Sequence, residues 1–369
     1  MSRLSNSPKR MRWEQRITSL YVAAAEQLGS DKAAVRLAGL YALARLGQDN
    51  PKLRQTVVDV LCAYLRMPYT PPVEVLYRNM AKSSHNVASD AEVPEPTEQP
   101  ARREELQVRL TAQRLLADHL RVAKGNGPEP ATYWRGPAGE RMHLDLVGAV
   151  LVDFDLSGCA SEVSVLHEAQ FHGYANLHKA QFHGYANLHK AQFHGYANLH
   201  KAQFHESAYL DMVQFYGSAD LRGAQFYGRA VLFMAQFHLG ADLRGAQFHE
   251  SASLGGAQFR VHTNMGGARF HGYVDLGKAQ FHGDLRLTGA KFHAHANLHE
   301  AQFDSGVDMS DARAVPNVRL PPGWVFGDDT GTPDGLRLVI RGNDGVTRID
   351  EQDRSAGSSA DPEPGDTGH

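Results

Sequence analysis

The sequence predicts a mainly β chain, a solenoid of short strands preceded by a small α-helical domain. Three observations predict it. Phe recurs at every eleventh position, at Phe171, Phe182, Phe193, Phe204, Phe215, Phe226, Phe237, Phe248, Phe259, Phe270, Phe281, Phe292 and Phe303. Six positions after each stands an apolar residue: Leu177, Leu188, Leu199, Leu210, Leu221, Leu232, Leu243, Leu254, Met265, Leu276, Leu287, Leu298 and Met309. Glycine follows Phe by two positions at 173, 184, 195, 217, 228, 272 and 283. An eleven-residue period is also that of a right-handed helical coiled coil, and the glycine excludes that reading, at a cost of about 1 kcal/mol each relative to Ala in a helix.

The helical domain spans 1–67. Leu20, Ala23, Ala24 and Leu28 form one apolar stripe ended by Gly29; Ser30 and Asp31 cap a second helix carrying Val35, Ala38, Leu43 and Leu46, which stops at Gly47. Asn50 and Pro51 supply an N-cap and a first-turn proline for a third helix with Leu53, Val57, Val60, Leu61 and Tyr64. Short connections give this array a HEAT-like character. Residues 68–102, rich in Pro with scattered Ser, Glu and Asn, read as a flexible linker. Residues 103–143 hold one further helix, with Leu106, Leu110, Leu115, Leu116 and Leu120, that caps the first coil of the solenoid, because an open end exposes both core and strand edges.

Residues 144–311 carry the repeats. Ala-Gln-Phe-His-Gly-Tyr-Ala-Asn-Leu-His-Lys stands three times unchanged at 169–179, 180–190 and 191–201, the mark of recent duplication. Two positions before each Phe is Ala, or Val at Val213, so that small and large residues share the inner face of an extended segment. Upstream the spacing is five, through Leu146, Leu151, Leu156, a Ser161 mismatch, Leu166 and Phe171.

Units such as Ala175-Asn176-Leu177-His178-Lys179 and Ala219-Asp220-Leu221-Arg222-Gly223 resemble the pentapeptide-repeat proteins. The resemblance implies a right-handed quadrilateral β-helix with four units per coil. One extra residue in every second unit makes the expected coil about 22 residues long, with two of the four corners widened and Gly173 and its equivalents at positive φ. Residues i and i+22 then stack. Phe, Leu and Ala fill the inside and leave no lumen for a ligand. Gln170, Gln192, Gln214, Gln236, Gln258, Gln280 and Gln302 point outward and form an amide ladder.

Residues 312–349 form a C-terminal cap, with Trp324, Val325 and Phe326 and a strand pair near Leu336–Ile340 and Val346–Ile349; residues 350–369 form a disordered tail. The order of helical domain, linker, helix and repeats resembles a group of actinobacterial pentapeptide-repeat proteins. Many of those place membrane helices first; no apolar run here reaches the length of a span.

The charges nearly cancel, with 38 Lys and Arg against 41 Asp and Glu. The balance is uneven: residues 1–70 carry 11 basic and 5 acidic side chains, whereas 141–311 carry 12 and 16. Two cysteines, Cys62 and Cys159, form no disulfide framework, and the chain reads as cytoplasmic. No phosphate loop, G-x-S-x-G or H-E-x-x-H occurs, so no enzyme and no cofactor is expected.

Seventeen of the 20 His fall between 143 and 299. Stacking at i+22 makes His183 and His205, and His249, His271 and His293, candidate metal ladders. The same position also holds Tyr216, Arg260 and Asp304, which favours a solvent-facing site multiplied by duplication over a metal centre. Unperturbed imidazoles there would turn the surface cationic near pH 5.5. The reading is a non-enzymatic protein-interaction scaffold whose partner is a protein, with nucleic acid disfavoured and oligomeric state open. The alternatives are a DNA mimic acting on DNA gyrase or another topoisomerase, which the resemblance brings with it, and a metal- or pH-responsive His-rich surface. Lys179, Lys190, Lys201, Arg222 and Arg244 interrupt the anionic face that mimicry requires.

Overall fold

The computed structural model describes residues 8–76, 99–123 and 127–315, and beyond them the strands Val318–Arg319, Trp324–Phe326, Leu336–Gly342 and Gly345–Val346. Four long helices come first: α1 (Pro8–Leu28), α2 (Ala33–Asp49), α3 (Arg54–Arg66) and α4 (Gln99–Leu120). Leu40 and Leu43 of α2 and Val57, Val58, Leu61 and Leu65 of α3 recur at helical spacing and are buried. Three local expectations change, the first being that Lys32, and neither Ser30 nor Asp31, stands at the N-cap of α2, with no side-chain cap. Gly47 lies inside α2 and does not end it. Asn50 donates its side-chain amide to the Leu46 carbonyl at 2.8 Å, closing α2, and makes no side-chain cap for the turn that begins at Pro51.

α4 begins at Gln99, inside the stretch expected as linker; residues 77–98 of that stretch lie outside the described residues. It is pinned to α3 by Arg109. That buried guanidinium donates to the Leu65 carbonyl at 3.0 Å, the Met67 carbonyl at 2.8 Å and the Glu105 carboxylate at 2.8 Å. The last carbonyls of α3, which have no intrahelical partner, are satisfied in this way. Farther along α4, Gln113 lies on the first coil: its amide donates to the Val152 carbonyl at 2.8 Å, and the Val152 N–H donates back at 3.2 Å. A strand edge is thereby covered by a side chain. Buried residues from Ala24 to Ala314 make one continuous cluster, so the helices share a core with the solenoid and are not tethered at a distance from it.

The solenoid is four-sided, built from sheets of nine, eight, seven and eleven strands. Within the repeats the register is 22 residues. Gln192 pairs with Gln214, Ala197 with Ala219, Gln203 with Gln225 and Ala208 with Ala230, all parallel. The first coil is shorter, with Leu144 opposite Ser164 and Leu151 opposite Phe171, each twenty residues apart. The five-residue spacing of Leu146, Leu151 and Leu156 is the cause. Inside, the Phe rings stack coil on coil, for example Phe204 on Phe226 at 4.8 Å and 2° and Phe259 on Phe281 at 4.7 Å and 1°. Each buried Phe contributes about 1.5–3 kcal/mol.

The corners depart from expectation. Left-handed backbone falls at the tight corner after Leu, at Lys179 (φ 55), Lys190 (φ 54) and Lys201 (φ 56), and at Gly in later coils such as Gly223 (φ 60). An Asx turn sets this corner up: the His178 N–H donates to Asn176 Oδ1 at 3.2 Å and the His189 N–H to Asn187 Oδ1 at 3.0 Å. Of the wide-corner glycines, Gly173 alone has positive φ, at 76°. Gly195 is there for space instead, because a Cβ on it would collide with the Gly173 carbonyl one coil below.

At the far end the eleven-stranded sheet continues beyond Arg313–Ala314 into the antiparallel strand Leu336–Gly342, with Arg313 opposite Arg337; Trp324–Phe326 and Gly345–Val346 pair with the same strand. The remainder of the expected cap, and the tail 350–369, lie outside the described residues.

Candidate interaction surface

With Phe, Leu and Ala filling the interior, chemistry is confined to columns of side chains on the outside. The residue after Phe heads one such column along each wide corner. His183, His205, Tyr227, His249, His271 and His293 stack ring on ring at 4.4, 5.1, 4.8, 5.2 and 4.8 Å. On the opposite corner His172, His194, Tyr216 and His238 stack at 4.5, 5.1 and 4.7 Å. The sequence places these positions in solvent; His249, His271 and His293 are exposed, whereas His172, stacked on His194, is only 7% exposed. Burial holds His172 and His183 down to about pKa 4 and lowers His194, His205, His238 and His271 as well. These six imidazoles therefore resist protonation at the pH where unperturbed ones would charge.

Parallel rings place their nitrogens side by side and do not converge them on a point. Among the described residues no group of three or more His, Cys, Asp or Glu is arranged to hold a metal ion. Imidazole pairs with carboxylate instead, as in His189 with Asp211 and His282 with Asp304. Nucleophilic chemistry finds no support in the cysteines: burial pushes the thiols of Cys62 and Cys159 up to about 12, and Cys159 donates to the Ala117 carbonyl at 3.5 Å.

The outward Gln column of the eight-stranded sheet floors a shallow groove of about 500 Å³ beside Glu168, Lys190, Met212 and Met234. Amide-to-amide bonds of the expected ladder occur from Gln280 to Gln302 and, in the other Gln column, from Gln203 to Gln225, both at 3.4 Å. Tyr216 donates to Gln214 at 2.6 Å. On the seven-stranded sheet, Asp220 and Asp242 alternate with Arg222 and Arg244 in ion pairs of 2.7, 3.7 and 2.7 Å. Burial opposes charge on Asp220, but the bonds from Arg222 and Tyr196 hold its pKa below the usual carboxylate range.

One column was missed by sequence reasoning. The outward positions of the eleven-stranded sheet run Gln181, Gln203, Gln225, Gln247 and then Arg269, Lys291, Arg313, paired in register. The signal was present: Arg269 and Lys291 are the two departures from Gln among the thirteen residues that precede Phe. Read along the chain they look scattered, since 22 residues separate them, and only the coil brings them together.

The family model for pentapeptide repeats, in nine copies, matches residues 188–233 and 235–280. Residues 188–233 and 235–280 are pentapeptide repeats. The match covers the middle of the pentapeptide-repeat rod and leaves the helices outside it. Among curated proteins and solved structures nothing matches the chain. Among the described residues no helix is long and apolar enough to cross a membrane.

Proposed function

We propose that the protein is a non-enzymatic scaffold that binds another protein along the outer columns of its rod, in the cytoplasm. One observation carries this reading: the interior is packed solid by Phe, Leu and Ala, so every position free to vary between coils is on the outside. A rigid rod offers such columns at nearly constant spacing, which suits recognition of an extended partner. Exposed Phe233 and Met234, at 48% and 46%, together with Met212 add an apolar patch in mid-rod.

DNA mimicry is disfavoured, because two Gln faces and a cationic column replace the continuous anionic surface that gyrase binding would need. A metal-dependent role is disfavoured by the stacked imidazole geometry.

The test is affinity capture from native cytoplasm with the intact chain and with F233S/M234S, whose surface change leaves the core alone. A partner retained by the wild type and lost or weakened in the variant, or lost with changes elsewhere on the columns, supports the reading. A wild-type rod that retains nothing above the level of an unrelated bait overturns it.

A further inference from the structure

We infer that Arg269, Lys291 and Arg313 form a binding strip for an acidic, extended segment of a partner protein. The inference rests on the scaffold reading and names the partner chemistry for one face of the rod. The three cations occupy the same outward position on successive strands of one flat parallel sheet, Arg269 beside Lys291 and Lys291 beside Arg313. The core rings beneath give the step between coils, 4.9 Å from Phe248 to Phe270 and 5.0 Å from Phe270 to Phe292.

Like charges placed directly opposite one another destabilise a sheet. Repeat copying does not explain them either. The template residue is Gln, and the opposite column keeps it in the same coils, at Gln258, Gln280 and Gln302. Cations have replaced Gln on one face alone, at three successive levels.

In the corners on either side of the three strands, Asp311 is the one carboxylate among the described residues, and His271 and His293 stack at 4.8 Å along one border. Lys291 and Arg313 each have a partner within the chain, and a ligand would add to those partners or replace them.

Shape decides the class of ligand. The strip is one side chain wide and three register positions long, about 10 Å at the usual strand spacing. An extended peptide with acidic residues at alternate positions i, i+2 and i+4 covers about 13 Å and presents its carboxylates on one side. A nucleic-acid duplex needs a broader cationic surface to meet two phosphate backbones.

The test uses the full chain and a fluorescein-labelled peptide of five Glu-Ser repeats, read by fluorescence anisotropy. The comparison variant is R269Q/K291Q/R313Q, which restores the residue that the same columns carry elsewhere and so preserves the fold. We expect the wild type to bind the peptide, the variant to bind it at least about tenfold more weakly, and added salt to weaken the wild type steeply. The variant K179Q/K190Q/K201Q, which removes three cations from other corners, should bind like the wild type. Equal binding by wild type and R269Q/K291Q/R313Q, or tighter binding of a duplex or single-stranded DNA of similar charge, would overturn the proposal. Cytoplasmic capture separates the two levels: if R269Q/K291Q/R313Q still retains the wild-type partner, the strip is wrong and the scaffold stands, whereas an empty wild-type capture removes the scaffold reading itself.

Discussion

The indole of Trp134 lies against Gly47 in the last turn of α2, where a Cβ on the glycine would meet the ring at 2.5 Å. The ring is held from other sides. It stacks on His119 at 3.8 Å and 13°, and its Nε1–H donates to Gln48 at 2.8 Å. A helix-weakening residue is thus kept inside α2 to let the lead-in of the rod dock on it. G47A should lower stability by about 1–3 kcal/mol, the usual cost of forcing extra volume into a packed site, even though Ala is the better helix former. Urea unfolding followed by Trp fluorescence measures it; a midpoint equal to or above the wild type would show that the ring has room.

Arg109 makes the second joint. Its removal leaves the Leu65 and Met67 carbonyls without their donor and takes away a partner of Glu105. R109A should cost about 3–5 kcal/mol, in the range for breaking a buried ion pair. Chemical denaturation gives the number, and a loss below about 1 kcal/mol would mean that water replaces the guanidinium.

Acid should weaken the protein through the ring columns. His172 stays neutral in the folded chain down to about pH 4, whereas in the unfolded chain it takes a proton below its ordinary value of 6.5. The unfolded state binds more protons between those values, so stability is full above pH 6.5 and falls as pH drops towards 4. For His172 the loss approaches about 3 kcal/mol; His183, more exposed, adds less. Melting temperature against pH tests this, with H172Q expected to flatten the fall. A stability that rises on going from pH 7 to pH 5 would contradict the assignment.

The tight corners offer a gain. Lys190 sits at φ 54 and is exposed, so its Cβ bears the cost of left-handed backbone against only an exposed ion pair with Glu168 at 3.7 Å. K190G should stabilise by up to about 1 kcal/mol, while G223V, at the equivalent corner with φ 60, should destabilise by at least as much. Paired thermal melts decide, and opposite signs to these would place the strain elsewhere.

Deleting residues 180–201 removes one 22-residue register and joins Lys179 to Ala202 through the same Lys-Ala junction as before. A folded rod shorter by about 4.8 Å is expected, with an unchanged β signal per residue in circular dichroism. An unfolded product would mean that the coil is not the unit of stability.

Much of the rod was legible because one position in the sequence corresponds to one position on the coil. Phe and Leu at fixed spacing give the inside, and the register is set by the period alone. The corners were less so. Glycine at 184 or 195 announces that a side chain is excluded, but not whether the reason is its own backbone angle or a carbonyl one coil away; at Gly195 it is the carbonyl. The solvent-facing reading of the position after Phe holds at His249, His271 and His293 and fails at His172, whose ring is covered by its copy in the next coil. Arg109 and Gly47 were illegible, because the groups they meet, Leu65 and Trp134, are far along the chain and no periodicity links them.

The half-coil likeness of the repeat has a genetic consequence. Opposite faces are built from the same eleven residues, so an in-frame duplication of a single unit rethreads every later Phe and Leu into an equivalent pocket, and yet it swings each subsequent coil by half a turn relative to α1–α4. Duplication of two units lengthens the rod and leaves its bearing unchanged. In a chain that already bears three identical units, the parity of the copy number becomes a heritable dial for which way the distant Arg269–Lys291–Arg313 strip faces.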